Sequence, residues 1–202
     1  MRFLLFLPLA FAGNSPRVDF DPALAAAKVP EWEAACEKNS GEACGNLGAL
    51  FALGKGVSQN ETKAFSLYEK ACRFGQSLRC LRAGSFAANG KGVLESQEKA
   101  AELFAIGCRL MDPENCASYY LLTHGSKFLL NGEMSPVQNP PKAEQAMLKT
   151  VLNVFSDSCA KGQARACGNL GFLYEDGDAA PRDPSKALRS EEHTSELQSL
   201  AY

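Results

Sequence analysis

The chain has 202 residues, 46% hydrophobic and 22% charged, with a formal net charge of −2 and eight cysteines. It holds no basic run and no basic–aromatic patch, which argues against a nucleic-acid partner and against a polybasic membrane surface.

The chain opens with Met1-Arg2, runs apolar from Phe3 to Phe11 and closes on Ala10-Phe11-Ala12. A basic residue, a short apolar core and a small-x-small site form the pattern of a secretory signal. Residues 1–12 are therefore read as a signal peptide cleaved after Ala12, with a frayed apolar terminus or a truncated gene start as the competing reading. The run is far short of the ~20 apolar residues that cross a bilayer. No cysteine follows the cleavage point to carry a lipid anchor. Trp32 lies in a first helix ahead of the first cysteine, placed to cap the open end of a helical stack.

From Cys36 onward the cysteines obey one rule. They form four Cys-x7-Cys pairs: Cys36/Cys44, Cys72/Cys80, Cys108/Cys116 and Cys159/Cys167. The first three pairs recur every 36 residues, and the fourth lies 51 residues after the third. A fixed period of this size marks a stacked-repeat protein. On one unbroken helix, eight residues would separate the paired Cα atoms by roughly 12 Å, whereas a disulfide needs about 4.4–6.8 Å. The chain must turn inside each pair, and each pair holds turn residues: Asn39-Ser40-Gly41, Gly75-Gln76, Asp112-Pro113 and Lys161-Gly162-Gln163. Each pair is read as a staple between the end of one helix and the start of the next, worth roughly 2–3 kcal/mol in chain entropy. Zinc sites favour Cys-x2-4-Cys with further ligands, which this spacing lacks, and no metal or cofactor is expected. Reduced structural thiols remain the other alternative. Oxidised pairs place the chain in an oxidising compartment.

Units starting near Cys44, Cys80, Cys116 and Cys167 align. Gly48 falls on Gly84, Gly54-Lys55-Gly56-Val57 on Gly90-Lys91-Gly92-Val93, Lys63-Ala64 on Lys99-Ala100, and Tyr68 on Phe104. A first helix ends at the Gly-x-Gly, where left-handed angles cost glycine little. A second helix comes next, with Ala64, Leu67, Tyr68 and Ala71 at helical spacing. Gly48 and Gly84 allow close helix approach. This predicts an all-α fold over residues 21–188, a right-handed superhelical solenoid of helical pairs.

The residues Leu47-Gly48, Gly54-x-Gly56-Val57, Lys63-Ala64, Tyr68 and Ala71, repeated one unit later, resemble the Sel-one-like repeat family, a relative of the tetratricopeptide repeats. The cysteine placement is similar to the Helicobacter-type cysteine-rich proteins of that family, and more loosely to a related cysteine-rich mitochondrial assembly factor. The resemblance implies a protein-binding scaffold, and it also allows a β-lactamase activity.

Two departures stand out. The third unit is 15 residues too long, with seven extra residues before Lys142-Ala143 and eight after. That is about two helical turns on each side, so both helices of this unit are expected to lengthen and to project from the stack, with Asn139-Pro140-Pro141 at the tip. The fourth unit copies the first through Lys186-Ala187, then reads RSEEHTSELQS from Arg189 to Ser199. That string resembles a translated sequencing adapter, so residues 189–202 are set aside. The last unit is then expected to lack its second helix and to expose Phe172 and Leu173.

Ser96-x-x-Lys99 and Ser158-x-x-Lys161 match the Ser-x-x-Lys of β-lactam-binding serine enzymes. Their companion motifs are absent, and Ser96 sits where a helix cap belongs. Asn60-Glu61-Thr62 fits a glycosylation sequon in a loop. His124 lies alone on the third unit, with a surface or satisfied polar role. The aromatics Phe51, Tyr68, Phe86 and Phe104 have core spacing.

The sequence thus describes a secreted or periplasmic, monomeric, non-enzymatic scaffold that binds an unknown protein or peptide on its concave face. The alternatives are a β-lactam-binding or cell-wall enzyme and a redox or assembly factor of the mitochondrial intermembrane space.

Overall fold

The computed structural model describes residues 22–124 and 142–199. Over these residues the chain is all-α, with nine helices and no strand. In order they are α1 (Pro22–Glu37), α2 (Gly41–Leu53), α3 (Glu61–Arg73), α4 (Ser77–Ala88), α5 (Gln97–Arg109), α6 (Pro113–His124), α7 (Lys142–Ala160), α8 (Ala164–Asp176) and α9 (Pro184–Ser199). Pairs α2/α3, α4/α5, α6/α7 and α8/α9 are the four units, each with a first and a second helix.

The cysteines join neighbouring units as the spacing demands. The Cα–Cα distances are 4.8 Å for Cys36–Cys44, 4.5 Å for Cys72–Cys80, 4.5 Å for Cys108–Cys116 and 4.6 Å for Cys159–Cys167. Each turn passes through one left-handed residue at the same position: Asn39 (φ 67°), Gly75 (83°), Met111 (64°) and Gly162 (82°). Asparagine and glycine suit that region, whereas a methionine there is strained. In the third turn the bend falls on Met111, one residue ahead of the Asp112-Pro113 signal. Asp112 then caps α6 by accepting from the Asn115 N–H at 2.9 Å, and Pro113 opens that helix where no N–H is needed.

Other local expectations hold. Gly54 ends α2 in the left-handed region, φ 66°, with its N–H bonded to the Leu50 carbonyl. Asn60 caps α3, accepting from the Lys63 N–H at 2.9 Å, so the sequon asparagine is a helix cap rather than a mid-loop residue. Ser96 caps α5, accepting from the Lys99 N–H at 3.1 Å. Trp32 is half-buried on α1 against the first core cluster.

Within a unit, the small residue on the first helix meets a ring on the second. A methyl added to Gly48 would lie 2.7 Å from the Tyr68 ring, and one added to Gly84 would overlap the Phe104 ring. Between units the loops interlock. Gly92 (φ +67°) rests on the Glu61 backbone of the preceding unit, where any side chain would overlap it. The apolar interior falls into two clusters, one built from Cys36 to Phe104 and the other from Ala105 to Leu173.

The second helices of the first joints also carry charge clasps. Lys63 of α3 reaches Glu33 of α1 at 3.3 Å. One repeat later Lys99 of α5 reaches Glu69 of α3 at 2.8 Å. Arg73 and Glu102 close that second contact into a ring of four, at 3.0 to 3.1 Å. Burial pushes the Glu69 carboxyl up, but hydrogen bonds from Lys99 and Arg73 outweigh it and hold it below the ordinary carboxylate range.

The third unit differs from expectation. Its second helix, α7, has 19 residues against 13 for α3 and α5, close to the expected lengthening. Of its six added residues, 142–147, only Met147 is buried, in the second cluster, while Lys142, Ala143, Gln145 and Ala146 are exposed. The expected lengthening of the first helix and the Asn139-Pro140-Pro141 tip lie outside the described residues.

The fourth unit keeps its second helix, which corrects the expected loss. α9 continues through Arg189 to Ser199. That string holds no glycine or proline, and Ala187, Ser190, Thr194 and Leu197 recur at helical spacing. Ala187 and Ser190 are buried, the Thr194 hydroxyl bonds the Ala164 carbonyl at 3.3 Å, and Leu197 packs on the second cluster. Leu173 is therefore fully buried and Phe172 half-buried. Ser195 stands where another staple cysteine would fall, and it bonds the Glu191 carbonyl.

Candidate binding cleft

The third unit breaks the ring-on-glycine rule. Four residues after the staple cysteine stand Gly48, Gly84, Tyr120 and Gly171. Four residues before the next staple stand Tyr68, Phe104 and Phe155. A tyrosine thus occupies the position where α6 would otherwise receive the ring of α7. With two rings in place of one, the pair cannot close as α2/α3 and α4/α5 do. Phe155 is fully buried regardless, and the Tyr120 ring turns toward α8.

Tyr120 anchors a buried junction between the third and fourth units. Its hydroxyl donates to the Asp176 carboxylate. Its ring stacks on His124, with centroids 4.8 Å apart and planes at 7°, and meets Phe172 edge-on at 6.1 Å. Burial first, and then the hydrogen bond to Asp176, push the Tyr120 phenol far above its ordinary value. His124 is 5% exposed and not alone, correcting the isolated position expected of it. Its Nε2 lies 3.2 Å from Glu144 and its Nδ1 lies 2.7 Å from the Thr123 hydroxyl. A carboxylate only accepts, so Nε2–H donates to Glu144, while the Thr123 hydroxyl lies between Nδ1 and the Tyr119 carbonyl, 2.8 Å away. The satisfied polar role holds, and its partners are contributed partly by the lengthened α7.

Replacing Tyr120 with phenylalanine leaves the buried Asp176 carboxylate without its phenol donor. The expected cost is about 1–3 kcal/mol, read from urea unfolding at neutral pH. The same variant also tests the alkaline limb. A phenol whose folded pKa is raised contributes stability below the unfolded value of 10.0, and that stability is lost as pH rises beyond it. The wild type should lose stability more steeply above pH ~10 than Tyr120→Phe. Parallel alkaline limbs would contradict the assignment.

Beside this junction a cleft of about 450 Å³ is lined by Arg109, Tyr119, Thr123, Ala143, Glu144 and Met147. Arg109 ends α5, directly after a staple cysteine. Tyr119 and Thr123 stand one turn apart on one face of α6. Ala143, Glu144 and Met147 lie on the first turns of α7, which shorter second helices lack. Tyr119 lies between opposite charges: burial first, and then Glu144, push its phenol up, while Arg109 pulls it down. Among the described residues the cleft therefore offers one cation, one anion, a phenol and an apolar floor at Met147.

The serine motifs find no catalytic setting. Ser96 is engaged as a cap, and the Lys99 amine is held by Glu69 and Glu102. Hydrogen bonding to Glu69 first, against some burial, raises the Lys99 pKa, so it stays charged and is a poor base. Ser158 is buried inside α7. Sequence reasoning did not find the cleft. The signal was available in the tyrosine that breaks the Gly48, Gly84, Gly171 series.

Among curated proteins no match to the chain is found. Among solved structures, a protective antigen of uropathogenic Escherichia coli with an SLR fold is similar, with TM-score 0.61 and 19% identity over 85% of this chain and 34% of that one. The chain thus spans about a third of that antigen. A Sel1 repeat protein from Oxalobacter formigenes has TM-score 0.56 and 18% identity, over 91% of this chain and 76% of that one. Cysteine rich protein B of Helicobacter pylori is 35% identical over 44% of this chain and 67% of its own, with TM-score 0.43. The Sel1 repeat model matches residues 41–73, 80–110 and 164–189, so the irregular third unit is the one it leaves out. Three stretches of the chain, residues 41–73, 80–110 and 164–189, are thus Sel1 repeats.

Proposed function

We propose that the array is a secreted or periplasmic scaffold that binds a protein or peptide along the concave side formed by its first helices, α2, α4, α6 and α8. The observation that carries this reading is preorganisation: four staples and interlocked joints fix a row of helices before any partner arrives, which lowers the ordering cost of association. At one register position the row presents Asn46, Arg82 and Ser118, and at the next Ala49, Ser85 and Leu121. Leu121, in the last turn of α6, is 55% exposed. The staples favour an oxidising, extracytoplasmic compartment. Among the described residues no helix is long and apolar enough to cross a membrane.

Panning a random peptide library against the oxidised protein tests the reading. Binders are expected whose affinity falls about tenfold or more in Arg82→Glu and Leu121→Asp, as for contacts near the centre of an interface. They should be unchanged in Lys63→Glu on α3. No enrichment, or binders indifferent to both first-helix substitutions, would overturn it.

A further inference from the structure

We propose that the cleft between α5, α6 and α7 binds the free C-terminal carboxylate of an extended peptide whose last side chain is apolar. The inference deepens the peptide-binding reading above and rests on it.

The cleft's volume, about 450 Å³, lies in the range of roughly 300–1,000 Å³ typical of built ligand sites. Its walls are chemically unequal. Arg109 is the one cation among the described lining residues, and it pairs with no carboxylate among the described residues. A guanidinium fork matches a carboxylate by two parallel hydrogen bonds. Tyr119 stands beside it, and its phenol is kept protonated by burial and by Glu144, so it can donate to the same carboxylate. Glu144 faces them from α7. One of its oxygens accepts from His124 Nε2, and the carboxylate can accept the N–H of the peptide's last residue through the other. Ala143 and Met147 complete the cleft. Met147 is 5% exposed, and its flexible thioether adapts to an apolar side chain of variable shape. This division into a carboxylate fork, an N–H acceptor and an apolar floor matches the order of groups at a peptide's end.

A free apolar amino acid carries the same carboxylate, so the experiment separates the two sources. The oxidised full chain is titrated with fluorescein-labelled Gly-Ser-Ala-Ser-Leu ending in the free acid, with the same peptide ending in an amide, and with leucine as a competitor. The acid form is expected to bind about tenfold or more tighter than the amide, as for loss of a hydrogen bond to a charged group. Arg109→Ala should erase that difference without shifting the thermal midpoint, because the side chain is exposed. Lys63→Ala on α3 should leave both affinities unchanged.

Equal binding of acid and amide, still sensitive to Leu121→Asp, would remove the carboxylate proposal and leave the scaffold reading standing. Failure of both forms to bind while panned peptides do bind would also remove it. Leucine competing as well as the acid peptide would make the cleft an amino-acid site and overturn the peptide assignment. Failure of every peptide, panned ones included, would defeat the scaffold reading as well.

Discussion

Replacing Gly84 with valine is expected to lower the thermal midpoint by roughly 6–12 °C. A methyl at Gly84 would overlap the Phe104 ring, and valine adds two further carbons at a buried position. Overpacking of this kind costs about 3 kcal/mol, and each kcal/mol shifts the midpoint of a chain this size by about 2–4 °C. The ring has little room to yield, because Phe104 is 6% exposed and lies inside the first core cluster. A double variant separates a specific clash from general disruption. Phe104→Leu alone should destabilise by leaving a cavity, yet combined with Gly84→Val it should recover part of the loss, a non-additivity that only residues in contact produce. Simple addition of the two effects would mean that the two positions do not meet. The measurement is calorimetry on the oxidised protein.

Removing a middle staple is the second large change. With Cys72 and Cys80 both replaced by alanine, the chain should lose about 2–3 kcal/mol, the value for a loop this short. Both sulfurs are fully buried, so some lost packing adds to the entropic term. Because repeat arrays are stabilised mainly by nearest-neighbour contacts, the loss should also be local. Exchange of backbone amides should quicken in α3 and α4 while α8 stays protected. Uniform loss of protection along the chain would show that the staples act on the array as a whole rather than joint by joint.

Most of the fold was legible because three periodic signals agreed. Cysteine spacing fixed where helices reverse, Gly-x-Gly fixed where first helices stop, and Gly48 and Gly84 marked where helices approach closely, although the rings of Tyr68 and Phe104 that meet them emerged only in the folded chain. What was less legible has identifiable physical causes. The turn at Met111 carries no glycine or asparagine, so its left-handed backbone is set by the staple rather than by the residue's own preference. The last helix was discounted on the origin of its sequence, but helix formation responds to spacing and propensity, and Ala187, Ser190, Thr194 and Leu197 supply the spacing. His124 read as isolated because its partners, Glu144 and the ring of Tyr120, become neighbours only once α6 and α7 are packed. The cleft depends on that same packing, and its one sequence-level trace is Tyr120.

The clasp between second helices has a mechanical consequence. The carboxylate position of that clasp holds Glu33, then Glu69, then Ala105, then Ser156. The first two joints therefore each carry a staple and this clasp, while among the described residues the joint between the third and fourth units has only the exposed pair of Arg165 and Glu114, at 3.3 Å, and such exposed pairs contribute little. Lys186 of α9, lacking that inter-unit partner, turns to Asp183 at the start of its own helix, at 3.3 Å. Bending compliance should thus be concentrated in the C-terminal half of the rod. Raising ionic strength, which weakens exposed ion pairs, should soften the N-terminal half toward the same elasticity.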